Sequence, residues 1–204
     1  NSRCRHCFNW KTLKPKKNEI SLSEIENLAR QLPTLETVSL SGGEPFLRND
    51  VTKIYKIFNM HCKKLSSFTI PTNCLLPEVI LEKMRDMLKW SNKKCMISLN
   101  LSLDGLEKTH DYIRGVKGNF KSVLKTYNVV KELKKEFKNF ALRVNTTITN
   151  LNADELPKLI VFVKQNMPKI DSHNFEIMRG KPKDDKLRCP PLKKLKYLRK
   201  YIFD

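Results

Sequence analysis

The sequence predicts an α/β fold, a parallel sheet whose strands are joined by helical crossovers. Three observations carry this. Short apolar, β-branched runs alternate with amphipathic helical stretches along the chain, the order that yields parallel strands with right-handed connections. Glycine-rich or polar signatures follow directly on the strands, the edge where parallel sheets and barrels bind ligands. The chain has 204 residues, 40% hydrophobic and 30% charged, a composition that fits one folded domain with its own core.

The elements follow in order. Asn1 to Trp10 reads as a loop carrying Cys4 and Cys7. Ser21 to Leu32 reads as a helix, capped by Ser21 or Ser23, with Ile25, Leu28, Ala29 and Leu32 as its apolar stripe. Val38 and Leu40 form a short strand that breaks at Gly42 and Gly43, and Pro45 can open a helix. Asn49 or Asp50 caps a helix from Val51 to Cys62, with Ile54, Ile57 and Phe58 on one face. Ser67 to Asn73 is a strand ending in a polar loop, and Pro77 opens a helix to Trp90. Cys95 to Leu103 is a strand ending at Asp104-Gly105. His110 to Arg114 begins a helical turn that Gly115 and Gly118 break. Phe120 to Phe137 reads as one long amphipathic helix, Ala141 to Thr149 as a strand, and Ala153 to Gln165 as a helix. Asn174 to Met178 is the last strand; Cys189-Pro190-Pro191 is a rigid break before a basic helix from Lys193 to Ile202. No linker, repeat or low-complexity tract divides the chain.

Composition narrows the function classes. No apolar run reaches roughly 18 residues, so no membrane span is expected. No secretory signal is visible. The net charge of +19 favours acidic partners: nucleic acid, phosphorylated substrates or acidic peptides. Its lysines are spread along helices with few aromatics among them, so a solvated basic surface is expected rather than a nucleic-acid site. Of six cysteines only Cys4 and Cys7 are closely spaced, which reads as a metal-ligand pair in a reducing compartment, with the cytoplasm expected. A zinc site would need a second ligand pair, and His6 and His61 lack paired spacing. Cys62, Cys74, Cys95 and Cys189 read as free thiols, and Trp10 and Trp90 as packing residues.

The chemistry concentrates after the first strand, at Ser41-Gly42-Gly43-Glu44-Pro45. Adjacent glycines let the backbone approach a ligand closely. Glu44 stands at that opening, where a carboxylate suits a ligand ammonium group through charge-assisted hydrogen bonds; a Gly-Gly turn with a solvated glutamate is the alternative. On the strand after Phe137, Arg143, Asn145 and Thr147 share one face and Val144, Thr146 and Ile148 the other. The first set either faces the interior, toward substrate or ribose, or Arg143 faces solvent at the bottom.

Taken together, these residues resemble the radical S-adenosylmethionine (radical SAM) superfamily, whose mark is Cys-x3-Cys-x2-Cys binding a 4Fe–4S cluster. Asn1-Ser2-Arg3 matches the spacer before Cys4, so the first cysteine would precede Asn1 and the chain would be cut within the motif. Gly42-Gly43-Glu44-Pro45 resembles the segment that holds the methionine ammonium of the cofactor. Thr72-Asn73 resembles the family's Thr-Asn-Gly segment, with Cys74 in place of the glycine. Ser102-Leu103-Asp104-Gly105 resembles the family's segment at strand four. His110 to Gly115, with Gly118 and Phe120, is similar to subfamilies carrying an auxiliary-cluster (SPASM) extension.

The resemblance implies a partial (β/α)6 TIM-like barrel lacking its first strand. Residues 1–204 would be one core domain, incomplete at the N-terminus and open to continuation at the C-terminus. It implies Cys4 and Cys7 as cluster ligands. Gly42, Gly43, Glu44, Pro45, Thr72, Asn73, Ser102, Asp104, Arg114 and Asn145 would bind SAM, with Ser102 and Arg114 on its carboxylate. His6 would pack near the adenine or remain a solvated loop histidine; Ile177 and Met178 would flank the adenine or simply pack. The implied reaction is reductive SAM cleavage to a 5′-deoxyadenosyl radical that takes hydrogen from a substrate. The substrate would be a peptide, a protein or a small molecule, and a flavodoxin or ferredoxin would donate the electron. The rivals are a member acting on a cofactor or lipid precursor, a member that has lost catalysis and only binds, and a basic nucleic-acid-binding module.

Overall fold

The computed structural model describes residues 1–11 and 19–203. Five parallel strands form one curled, half-barrel sheet in the order β1-β2-β3-β4-β5: Thr37–Ser39, Ser67–Thr72, Met96–Ser102, Phe140–Ile148 and Ser172–Ile177. Helices connect and cover them: α1 Leu22–Gln31, α2 Val51–His61, α3 Pro77–Trp90, α4 Glu107–Arg114, α5 Asn119–Val130, α6 Leu133–Glu136, α7 Leu156–Asn166 and α8 Leu192–Phe203. The expected partial barrel is therefore the observed one. β1 lies at the sheet edge, with β2 as its hydrogen-bonded neighbour.

Strand pleating divides the sheet into two unlike faces. Phe68 and Ile70 on β2, Ile97, Leu99 and Leu101 on β3, and Leu142 and Val144 on β4 are all at 0% exposure and pair in register. They form the core with Ile80, Met84 and Met87 of α3, Val123 and Val130 of α5, and Leu159 of α7. Each such side chain contributes about 1.5–3 kcal/mol by leaving water. The alternate positions form the concave face: Thr69, Ser98, Asn100, Ser102, Arg143, Asn145, Thr147, Ser172, Asn174 and Glu176. Arg143, Asn145 and Thr147 thus share the concave face, as the interior reading expected.

Local chemistry sets the helix ends. Ser21 and Glu24 make a reciprocal capping box on α1. Gly115 ends α4 in the left-handed region, φ +66°.

Several boundaries differ from expectation. The long helix of Phe120 to Phe137 is split into α5 and α6, because the amides of Lys134 and Lys135 bond three residues back, to the carbonyls of Lys131 and Glu132. That tightening turns Leu133 fully into the core; an apolar period persists across the break and conceals it. α7 begins at Leu156 rather than Ala153, since Asn152 Oδ1 accepts from the Thr149 amide and ties the preceding residues into a turn. β5 begins two residues early, at Ser172, where pairing with Arg143 starts. α4 starts at Glu107, one turn before His110.

Candidate cofactor site at the strand ends

The C-terminal ends of the strands and the Asn1–Trp10 loop enclose a cavity of about 460 Å³. Backbone bonds hold the loop against α4: the Arg3 amide donates to Arg114 O (3.1 Å) and the Arg5 amide to Ile113 O (2.8 Å). The approach depends on Gly115, where a Cβ would lie 2.7 Å from Arg3 O. Arg5 stacks over Tyr112 at 4.1 Å and pairs with Asp184 at 3.1 Å, which draws the segment after β5 against the same loop.

Within the loop, the Cys7 amide donates to Cys4 O at 3.3 Å, a turn that leaves both thiols half-buried and lining the cavity. Burial pushes the Cys7 thiol up from its ordinary value; Arg114 and Lys183 pull in the other direction without overcoming it. Ser2 Oγ lies 3.1 Å from Cys4 Sγ, and Arg114 Nη1 donates to that sulfur at 3.8 Å. Among the described residues, no third His, Cys, Asp or Glu joins them in a metal-holding group. His6 lines the cavity, while His61 pairs with Glu26 at 3.3 Å. Two adjacent thiols beside a cation are a donor set suited to thiolate ligation of iron and supply two ligands of such a site.

Glu44 sits at the wall opposite. Its Oε2 accepts from the Asn73 amide at 2.6 Å and its Oε1 from the Phe46 amide at 3.2 Å, so it caps the 3-10 turn Pro45–Leu47 and joins the ends of β1 and β2. Burial raises the Glu44 carboxyl above its ordinary value despite those two donors. Among the described residues no lysine, arginine or histidine pairs with this buried acid, an environment that favours a cationic ligand. Gly42 has φ +125°, a conformation that L side chains rarely adopt. Asn73 Nδ2 donates to Asn1 Oδ1 at 2.7 Å, and Asn119 Nδ2 to Asn73 O at 2.8 Å, so this loop links the N-terminal segment to α5. Cys74, in place of the glycine of the motif that this segment resembles, keeps a glycine-like backbone with φ +65° and is fully buried.

Asp104 lies behind the cavity wall. At 0% exposure, it pairs through Oδ2 with Arg114 Nε at 2.6 Å, accepts the Thr147 amide on Oδ1 at 2.8 Å and stands 3.9 Å from His6 Nδ1. Burial alone would raise this carboxyl, but the Arg114 guanidinium, the neighbouring histidines and the Thr147 amide hold it below its ordinary value. Burial works against the charge on Arg114 as well, and Asp104 and Cys4 more than offset it. Burial lowers His110 to about 4. The Asp104 amide donates to its Nδ1 at 3.0 Å, so Nε2 carries the proton toward Asn119 Oδ1 at 3.2 Å.

The cavity thus gathers Cys4, Cys7, Gly42, Gly43, Glu44, Thr72, Asn73, Ser102 and Arg114. Pro45, Asp104 and Asn145 stand outside its lining. Pro45 is buried behind Glu44, Asp104 supports Arg114, and Asn145 accepts from Asn174 Nδ2 at 3.1 Å on the concave face. Ile177 and Met178 line the cavity, as does Trp10, expected to be packing and 37% exposed. Glu176, Arg179 and Lys183 also line it; nothing in the sequence marked them, because the Arg5–Asp184 contact that folds their segment inward joins residues far apart in the chain.

Comparison with known proteins gives the family and the fold. The chain is 27% identical over 168 residues to AdoMet-dependent heme synthase of Methanosarcina barkeri, covering 81% of this chain and 44% of that protein. It is 29% identical over 169 residues to GTP 3′,8-cyclase of Marinobacter nauticus, covering 80% and 47%. The chain therefore spans about half the length of the curated relatives it matches. The solved structure of native anSMEcpe with bound AdoMet and Cp18Cys peptide superposes with a TM-score of 0.62 over 88% of this chain and 48% of that one, at 20% identity, a likeness of fold. The family model of the Radical SAM superfamily, whose members use a 4Fe–4S cluster and SAM, matches residues 1–163, and this chain belongs to that superfamily.

Proposed function

We propose that this chain is the core of a radical SAM enzyme that cleaves SAM reductively and abstracts hydrogen from a peptide or protein substrate. The observation that carries the reading is the single cavity in which Cys4 and Cys7 face the buried Glu44 carboxylate and the Arg114 guanidinium. Cys4 and Cys7 would supply two of the thiolate ligands of a cluster. When bound, the cluster and SAM supply a one-electron cleavage of the sulfonium that yields a 5′-deoxyadenosyl radical. Glu44 would hold the SAM ammonium, its carboxylate already fixed in place by the Asn73 and Phe46 amides. Arg114 and Ser102 hold the carboxylate, and Asp104 keeps Arg114 in place. Thr72 and Asn73 wall the site, and Ile177 and Met178 offer apolar surface to the adenine. An acidic one-electron donor such as a flavodoxin or ferredoxin suits the basic chain. All six cysteines are free, in keeping with the cytoplasm, and no helix among the described residues is long and apolar enough to cross a membrane.

The peptide reading draws on the basic surface and on the SPASM-like segment at His110 to Gly115. A second reading, a cofactor precursor as substrate, is favoured by the names of the heme synthase and GTP cyclase relatives. The test is anaerobic reconstitution of the full protein with iron and sulfide, then dithionite and SAM. Cluster absorbance and 5′-deoxyadenosine are expected; a colourless protein overturns the reading. Glu44→Ala is expected to weaken SAM binding by roughly 10- to 100-fold, the worth of a hydrogen bond to a charged group, with cluster absorbance retained.

A further inference from the structure

The concave face continues down the strands from the cofactor cavity, and it carries polar groups that none of the described residues pairs with. Asn100 of β3 pairs in register with Arg143 of β4, which in turn pairs with Ser172 of β5. Ser98, one pleat further down β3, is at 0% exposure, and among the described residues its Oγ has no hydrogen-bond partner; the Oδ1 of Asn100, a residue 8% exposed, has none there either. Leaving such atoms unpaired costs about 1–3 kcal/mol each. Arg143 is half-buried, and among the described residues no carboxylate pairs with it. The contrast with the next layer up is direct, since Asn145 and Asn174 satisfy one another at 3.1 Å.

We propose that Arg143 and Asn100 form a binding site for an anionic group of the substrate, a carboxylate or a phosphate, flanked by an N–H or O–H donor. Arg143 supplies a planar, doubly donating cation for the anion. Asn100 Oδ1 is an acceptor and cannot serve the anion itself; it takes the neighbouring donor of the ligand. Ser98 Oγ can do either. Asn100 lies two residues before the cavity-lining Ser102, about 7 Å down the strand at 3.3 Å per residue, and in register with Pro71 at the cavity's edge, and Arg143 lies four residues before the lining Thr147. The substrate would be anchored by its charged end at that depth while its reacting end reaches up toward the cofactor. That this anion belongs to the substrate rests on the reading of the cavity as the SAM site; the anion site itself rests on Arg143, Asn100 and Ser98.

The full protein, reconstituted with iron and sulfide, is titrated by calorimetry at constant ionic strength with three probes. N-acetylglutamate carries carboxylates and an N–H, glutarate carboxylates alone, and inorganic pyrophosphate the phosphate alternative. At least one anion is expected to bind the wild type, and the stronger class names the substrate's charged group. Arg143→Gln should weaken that binding about tenfold or more, the worth of a charge-assisted hydrogen bond, and Arg143→Lys should restore part of it. Asn100→Leu should abolish the preference for N-acetylglutamate over glutarate. Lys64→Gln, an exposed lysine, should change nothing. Circular dichroism and SAM binding, measured on each variant, should match the wild type. An anion affinity indifferent to Arg143→Gln, or equally reduced by Lys64→Gln, overturns the anion site while leaving the SAM reading standing. Arg143-dependent anion binding without any SAM binding does the reverse.

Discussion

The two faces of this sheet are built from the same strands, residue by alternate residue, yet they do different work. On the convex face Leu99, Leu101, Leu142 and Val144 are wholly buried under helices. On the concave face the adjacent positions are Asn100, Ser102, Arg143 and Asn145. The difference teaches where stability and function separate. Burial of apolar area on one face holds the strands in register, and that frees the other face to carry polar atoms, some of them unpaired, at its own cost.

Substitutions can break or sharpen that division. The largest loss of stability is expected from Asp104→Ala, which strands the Arg114 guanidinium in the interior; losing one partner of a buried pair costs about 3–5 kcal/mol, and urea unfolding should show it. Leu101→Ala, on the convex face, should cost about 2–5 kcal/mol in the same measurement. Glu44 comes next, with a pH signature. Its folded carboxyl is raised above the ordinary 4.5 by burial, so the native state binds a proton more tightly than the unfolded one. Stability contributed by that proton is fully present below pH 4.5 and is lost as pH rises through the folded value. A Tm profile from pH 4 to 7 should therefore fall less steeply in Glu44→Gln than in the wild type. Ser98→Ala should be smallest, within about 1 kcal/mol, because it removes a buried hydroxyl that has no partner. If Ser98→Ala rivalled Leu101→Ala, the two faces would not differ as described.

Much of the architecture was legible in the residues. Strand and helix alternation, the strand-end glycines and the caps at Ser21 and Gly115 are local signals, and each reports the conformation of its own segment. The split between α5 and α6 was not legible, because the apolar period runs on through Lys131 and Glu132 and only core packing of Leu133 reveals the turn. In the candidate site, nine of the residues marked by motif line one cavity. The role of Asp104 was harder to read: in a motif it looks like a ligand contact, and in the fold it stands behind Arg114, joined to Thr147 and near His6.

From composition, periodicity and motif order alone came the parallel α/β class, the strand ends as the candidate working edge, and Cys4, Cys7 and Glu44 as candidates for its chemistry. These are properties of short stretches, where backbone preference and side-chain type act within a few residues. The tertiary structure alone decided that Glu44 would lose its water and accept the Asn73 amide, that Arg114 would be shared between Asp104 and Cys4, and that Arg143 would face Asn100 with no counter-ion among the described residues. Each of those depends on strand register and burial, which bring together groups distant in the chain and set the dielectric around their charges.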